Sequence, residues 1–222
     1  MTFGSLLADT KPALVVQVVT TDNQDAYVAS IAKINALVKE KTGLERIRHV
    51  WVGDFAGDNS HGIFVVSQFD SAAAEAQFTA KLKDDADLKG VMAQLKGTRH
   101  LGPSYLYKGV RNDGMYDGGA VFNTSIVCTD EDAYVKALDG LKAIFDANGF
   151  KDSKINLWRI AAGRTTATHL VVIAFPSETR VAELIDAISD PNHEEHDERV
   201  EWVGGEFDPE RFSVDEVNKE LG

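Results

Sequence analysis

A four-residue string, Asp25-Ala26-Tyr27-Val28, returns as Asp132-Ala133-Tyr134-Val135, an offset of 107 residues (132 minus 25). The offset extends beyond the string. Tyr27, Ile31, Ile34 and Val38 are spaced four, three and four apart, one face of an α-helix, and Tyr134, Leu138, Leu141 and Phe145 repeat that face. Trp51 and Trp158 keep the same separation. Ahead of each helix stands a starting signal, Asp22-x-x-Asp25 and Thr129-x-x-Asp132, a capping oxygen followed three residues later by an acid. Gly43 and Gly149 supply the stops. A chain that keeps a string, a helix face and a tryptophan in step reads as two copies of one unit, and that leaves few architectures open.

Each copy reads strand, helix, strand, strand, helix, strand. The first places a strand at 13–20, a helix at 23–41 and a hairpin of 46–54 and 62–69 turning at Gly57-Asp58-Asn59-Ser60. Ser71 caps its second helix, with Phe78, Leu82 and Leu88 on the apolar side, and a weaker strand follows at 101–107. The second copy repeats this order at 121–129, 130–148, 154–161, 168–175, 177–189 and 199–207. Residues 111–119 are polar and glycine-rich, so the boundary falls there. The chain then divides into a first repeat, 11–110, a linker, 111–119, a second repeat, 120–208, and an acidic tail, 209–222.

A β-α-β-β-α-β unit is the ferredoxin-like arrangement of the α+β class, an antiparallel sheet with both helices on one face. A single copy leaves the other sheet face bare. Two copies in one chain bury both faces by packing their sheets together as a pseudo-dimeric α/β barrel. In this order of elements the chain resembles the dimeric α/β-barrel superfamily, which includes the antibiotic-biosynthesis-monooxygenase-like and stress-responsive barrel proteins. The resemblance covers about residues 12–208 and includes the Phe-x-Ser start of each second helix, Phe69-Asp70-Ser71 and Phe175-Pro176-Ser177. It implies a range of functions: cofactor-free oxygenases, haem-degrading enzymes, cyclases, isomerases and proteins without known activity. No catalytic motif comes with it, and fold does not settle function.

Charge narrows the partners. The chain carries 23 Lys and Arg against 35 Asp and Glu, a net −12, and residues 186–222 alone hold 13 acidic and 3 basic side chains. Such a surface repels phosphate backbones and anionic membranes, so neither nucleic acid nor membrane is expected. It reads as a solvated face or as a docking surface for a basic partner. Cys128 is the single cysteine, which excludes an internal disulfide and a thiolate zinc cluster. No signal peptide or spanning segment is visible, so the expected compartment is the cytoplasm and the Asn123-x-Ser125 sequon reads as chance. A monomer with internal pseudo-two-fold symmetry and a homodimer are both compatible with the pattern.

Histidines on strands are the candidate catalytic groups: His49 on the second strand, and His61 and His169 at the starts of the two third strands. Imidazole is the natural general base near neutral pH. Trp51 shares a face with His49 and gives a wall for a flat substrate; in the second copy Trp158 matches Trp51, Asn156 matches His49 and Arg159 matches Val52, with Trp158 and Arg159 as further candidate ligand-binding groups. Aligning Asp22 with Asp130 pairs Gln17 with Ser125 and Val15 with Asn123, which makes Gln17, Asn123 and Ser125 candidate ligand-binding groups on the first strands. Tyr27 and Tyr134 begin the two helical stripes, as core packing or as phenols aimed into a pocket. For each of these residues a packing or capping role stands beside the functional one.

Motifs for other chemistries are missing. His193-Glu194-Glu195-His196 lacks a third ligand, Asp84-Asp85-Ala86-Asp87 lacks the glycine and terminal acid of a calcium loop, and no metal site is expected. There is no G-x-G-x-x-G, Walker loop, G-x-S-x-G or C-x-x-C. Two functions remain. One is an enzyme without a bound cofactor, of oxygenase, cyclase or isomerase type, acting on a small organic molecule, with haem as a variant in which one histidine ligates iron. The other is a non-catalytic scaffold that binds a small ligand or a protein. A histidine pocket built in one copy only favours the enzyme, and two copies packed shut favour the scaffold.

Overall fold

A computed structural model of the chain describes residues 11–43, 48–53, 62–163 and 165–189. The His61 position, the turn at 57–60, the His193/His196 pair, the strand expected at 199–207 and the acidic tail lie outside the described residues. The elements run β1 (Ala13–Thr20), α1 (Gln24–Thr42), β2 (Arg48–Val52), β3 (Ile63–Phe69), α2 (Ala72–Leu82), α3 (Ala86–Gln94), β4 (His100–Asn112), β5 (Ala120–Ile126), α4 (Glu131–Ala147), β6 (Lys154–Ala162), β7 (His169–Phe175) and α5 (Glu178–Ser189). The described residues fall into two compact units, those within 1–110 and 159–165 and those within 111–158 and 166–222.

In the first unit the strands lie in the order β2-β3-β1-β4, antiparallel throughout. This is the ferredoxin-like order. α1 lays Tyr27, Ile31, Ile34 and Val38 against Val19, Ile63 and Val65 of the sheet, with Phe78 and Leu82 of α2 and with Leu95. Burying an aliphatic side chain of this size stabilises by roughly 1.5–3 kcal/mol, so the four-residue stripe accounts for much of the docking of α1. Register then sorts the strands: Val15, Gln17 and Val19 lie opposite Ser67, Val65 and Ile63, on the helix-bearing face. Leu14, Val16 and Val66 point the other way and are also buried.

The second unit orders its strands β6-β7-β5. Phe145 of α4, Phe150 and Phe175 of β7 form a triangle of rings with centroids 6.0 to 6.1 Å apart. α5 is fastened by Arg180, which forms a two-pronged pair with Asp152 at 3.0 and 3.1 Å, donates to Gly149 O at 2.6 Å and stacks 4.4 Å above Phe150. This guanidinium holds the Asp152 carboxyl below the usual carboxylate range.

Several expectations shift by small steps. The helix caps are Asn23 and Asp130, accepting from Ala26 N and Ala133 N at 3.0 Å each, rather than Asp22 and Thr129. Gly43 ends α1 in the left-handed region, φ 67°, where a side chain would be strained. The expected second helix of the first copy is two helices. Asp85 caps α3 by accepting from Leu88 N at 2.8 Å, and Lys41 of α1 reaches Asp85 and Asp87 at 2.9 and 2.6 Å. The aspartate run is thus a cap and an anchor.

Residues 111–114 are built into the second unit. β4 extends through Asn112, and Arg111 pairs with Asp113 at 2.7 Å and Asp139 at 3.0 Å and donates to Ile155 O. Asn156, fully buried, accepts from Asp113 N at 2.9 Å and Gly114 N at 3.2 Å and donates to Gly114 O at 3.0 Å and Val172 O at 3.3 Å. One side chain satisfies four backbone groups, which explains an asparagine in a core strand.

Candidate functional site

β7 starts at His169, directly after Thr168, and α4 starts at Glu131, directly after its Asp130 cap. Ile126 at the end of β5 lies opposite His169, which brings the first turn of α4 to the head of β7. His169 Nε2 lies 3.0 Å from Glu131 Oε2, and His169 Nδ1 lies 2.8 Å from Thr168 Oγ1. An ionised carboxylate only accepts, so Nε2 carries a proton, and in the neutral ring Nδ1 accepts from the threonine hydroxyl. The imidazole side chain is 6% exposed and the carboxylate 22%, while Thr168 is exposed. Thr168 is itself fixed: its N donates to Ile126 O at 2.9 Å and its Oγ1 accepts from Cys128 N at 2.8 Å. Tyr134, one turn further along α4, has its phenol pushed up by burial and, secondarily, by Cys128 nearby. The result is a carboxylate–imidazole–hydroxyl line whose outer end meets solvent.

Among the described residues the first unit has no such line. The offset of 107 puts Gln24 where Glu131 stands, and alignment of the third strands puts Gly62 and Ile63 where Thr168 and His169 stand. Ile63 is part of the apolar core.

The other candidate residues are dispersed. Gln17 faces the helices and donates from Nε2 to Val18 O and Gly102 O, both at 2.8 Å, and to Pro103 O at 3.2 Å, stitching β1 to β4 beside a register shift. Asn123 and Ser125 do not share its face. They lie opposite Val172 and Leu170, one residue out of step with the helix-bearing set of the second unit, and both are exposed. A single-residue slip in alignment turns every side chain to the other face. His49 and Trp51 do share a face, opposite Val66 and Phe64 and away from the helices. Tyr27 is core, with its hydroxyl accepting from Arg99 Nη1 at 3.3 Å. Trp158 is fully buried and its Nε1 finds no acceptor among the described residues. Arg159 is exposed. Of the candidate residues that the structure describes, only His169 and Tyr134 stand at the line. Glu131 and Thr168 went unread in the sequence, although an acid in the first turn of α4 and a Thr-His pair opening a strand were both visible.

Elsewhere, a shallow open groove of about 230 Å³ in the first unit is lined by Val15, Glu75, Ser104, Leu106 and Ala162, and it contains none of these groups. Among the described residues no cluster of three or more His, Cys, Asp or Glu could hold a metal ion. Both ring nitrogens of His169 are engaged, so in this arrangement it does not fit the role of an iron ligand for haem. No helix among the described residues is long and apolar enough to cross a membrane.

Comparison with solved structures decides the fold. An anthrone oxidase-like protein matches with a TM-score of 0.52 at 16% identity, covering 87% of this chain and 85% of that one. Two further proteins, each described as a "putative monooxygenase", also match. The one from Lactobacillus acidophilus NCFM has a TM-score of 0.55 at 9% identity, covering 88% of both chains. The one from Fusobacterium nucleatum subsp. nucleatum ATCC 25586 has a TM-score of 0.52 at 12% identity, covering 86% of this chain and 87% of that one. The fold is the dimeric α/β barrel. At these identities the dimeric α/β-barrel likeness is one of fold alone. A family model described as plasmid pRiA4b ORF-3-like protein matches residues 177–216 only. No curated protein matches the chain in sequence.

Proposed function

We propose that this chain is an enzyme that needs no bound cofactor and removes a proton from a small organic molecule, as a first step toward oxygenation, cyclisation or isomerisation. The observation that carries the reading is the Glu131–His169–Thr168 line, present in the second unit and replaced by Gln24, Ile63 and Gly62 in the first. The chain is then a tandem of two ferredoxin-like repeats, divided near residues 111–119, of which one keeps a site.

The chemistry follows from the geometry. Substrate meets Thr168, whose hydroxyl proton moves to His169 Nδ1 as the hydroxyl takes the substrate's proton. Glu131 holds the Nε2–H and stabilises the imidazolium that forms, so the transfer does not leave an uncompensated buried charge. Two of the solved structures that share the fold are described as monooxygenases and one as anthrone oxidase-like, which supports an oxygenase version. In that version the carbanion gives its electrons to dioxygen. One anthrone and one dioxygen yield one anthraquinone and one water, with no other oxidant.

The test is dioxygen uptake by the purified protein with anthrone. The expected result is quinone formation above the uncatalysed rate, falling by on the order of 100-fold or more in His169→Gln. Equal rates with and without His169 would favour the non-catalytic scaffold.

A further inference from the structure

We infer that Thr168 is also a nucleophile, and that the second unit carries out acyl transfer from activated carboxylic esters. The inference rests on the same Glu131–His169–Thr168 line but not on dioxygen chemistry or on the removal of a carbon-bound proton.

Three features separate Thr168 from an ordinary surface threonine. Its Oγ1 is 2.8 Å from His169 Nδ1, the nitrogen that holds the lone pair of the neutral ring when Nε2–H is turned to Glu131 at 3.0 Å. Other acceptors for the hydroxyl proton, Cys128 O and Ile126 O, lie at 3.4 and 3.5 Å, so the imidazole is the favoured one. The Cys128 N–H points at the same oxygen from 2.8 Å and stabilises negative charge as it develops there. A hydroxyl, a base within hydrogen-bond reach and a third group orienting the base are the parts of an activated nucleophile. Thr168 is an exposed residue and His169 a buried one, so of the two it is Thr168 that an incoming ester meets first.

The step balances with ester and water alone. Thr168 Oγ1 bonds to the acyl carbon as its proton passes to His169 Nδ1, and the ester C–O bond breaks with that proton delivered to the leaving alkoxide. Water then gives a proton to Nδ1, its hydroxide attacks the acyl carbon, and the Thr168–acyl bond breaks as the proton returns to Oγ1.

The experiment is brief exposure of the full chain to p-nitrophenyl acetate, followed by tandem mass spectrometry of the peptide holding Thr168. The expected result is one acetyl group on Thr168, absent in Thr168→Val, retained in Thr168→Ser and reduced on the order of 100-fold in His169→Gln. Acetyl groups confined to lysines and the N-terminus in the wild type would overturn the inference. So would acetylation of Thr168 that His169→Gln leaves unchanged, since circular dichroism of that variant shows whether it is folded. Success here with no anthrone oxidation separates the acyl-transfer activity from the proton-abstraction reading, and the reverse result separates them equally.

Discussion

Glu131 Oε2 and His169 Nε2 meet at 3.0 Å, one from the first turn of α4 and the other from the first residue of β7, in surroundings that leave the imidazole 6% exposed. Truncating the carboxylate strands a buried ring N–H. Glu131→Ala is expected to lower stability by about 1–3 kcal/mol, and Glu131→Gln, which can still accept, by less. Urea unfolding midpoints compare the two. Equal losses would show that charge rather than hydrogen bonding holds the pair.

Asn156 is the polar pin of the second unit. Its side chain serves Asp113 N, Gly114 N, Gly114 O and Val172 O. Asn156→Leu keeps the volume but leaves four backbone groups to find partners, and a loss of about 3 kcal/mol or more is expected in urea unfolding.

A side chain at position 119 has nowhere to go. A Cβ on Gly119 would collide with the backbone carbonyl oxygen of Phe175, which is the paired neighbour of Ala120. Gly119→Ala is therefore expected to destabilise by about 1–3 kcal/mol, through backbone displacement at the start of β5. Gly140→Ala, where a Cβ meets nothing within 4 Å inside α4, is the control and is expected to gain up to about 1 kcal/mol.

Arg180 and Asp152 predict an acid limb in the stability profile. Asp152 has its carboxyl lowered from 3.8 by hydrogen bonding to Arg180. A carboxyl lowered on folding adds stability above its unfolded value, and that contribution is lost as pH falls through the folded value. Arg180→Met should therefore flatten the stability curve below about pH 4 relative to wild type. Parallel curves for the two proteins would show that the pair does not set the acid limb.

Much of the fold was legible because periodicity reports burial. The stripe Tyr27-Ile31-Ile34-Val38 is the set of α1 residues that enter the core, and β1 runs over 13–20 as its apolar run indicates. What escaped was register. Asn23 and Asp130, the true caps, are 107 residues apart (130 minus 23), and aligning Asp22 with Asp130 slipped the first strands by one residue. That slip put Asn123 and Ser125 on the face of Gln17, where period-two side chains cannot be. The site was half legible. His169 stood out as a histidine opening a strand, but Glu131 lies 38 residues away in sequence, and only the docking of α4 on β7 brings them together. Asn156 was unreadable for a similar reason: its partners at 113–114 lie in a stretch whose composition signals a loose linker.

In the proposed reaction a substrate proton leaves through Thr168 to His169, and anaerobic deuterium exchange measures that step without dioxygen. Anthrone is held in deuterated buffer with the full chain, and label entering its acidic methylene is followed by mass spectrometry. The expected result is exchange faster than in buffer alone, lost in Thr168→Val and in His169→Gln. Exchange at the buffer rate with wild-type protein, or undiminished exchange in the folded His169→Gln variant, would contradict it.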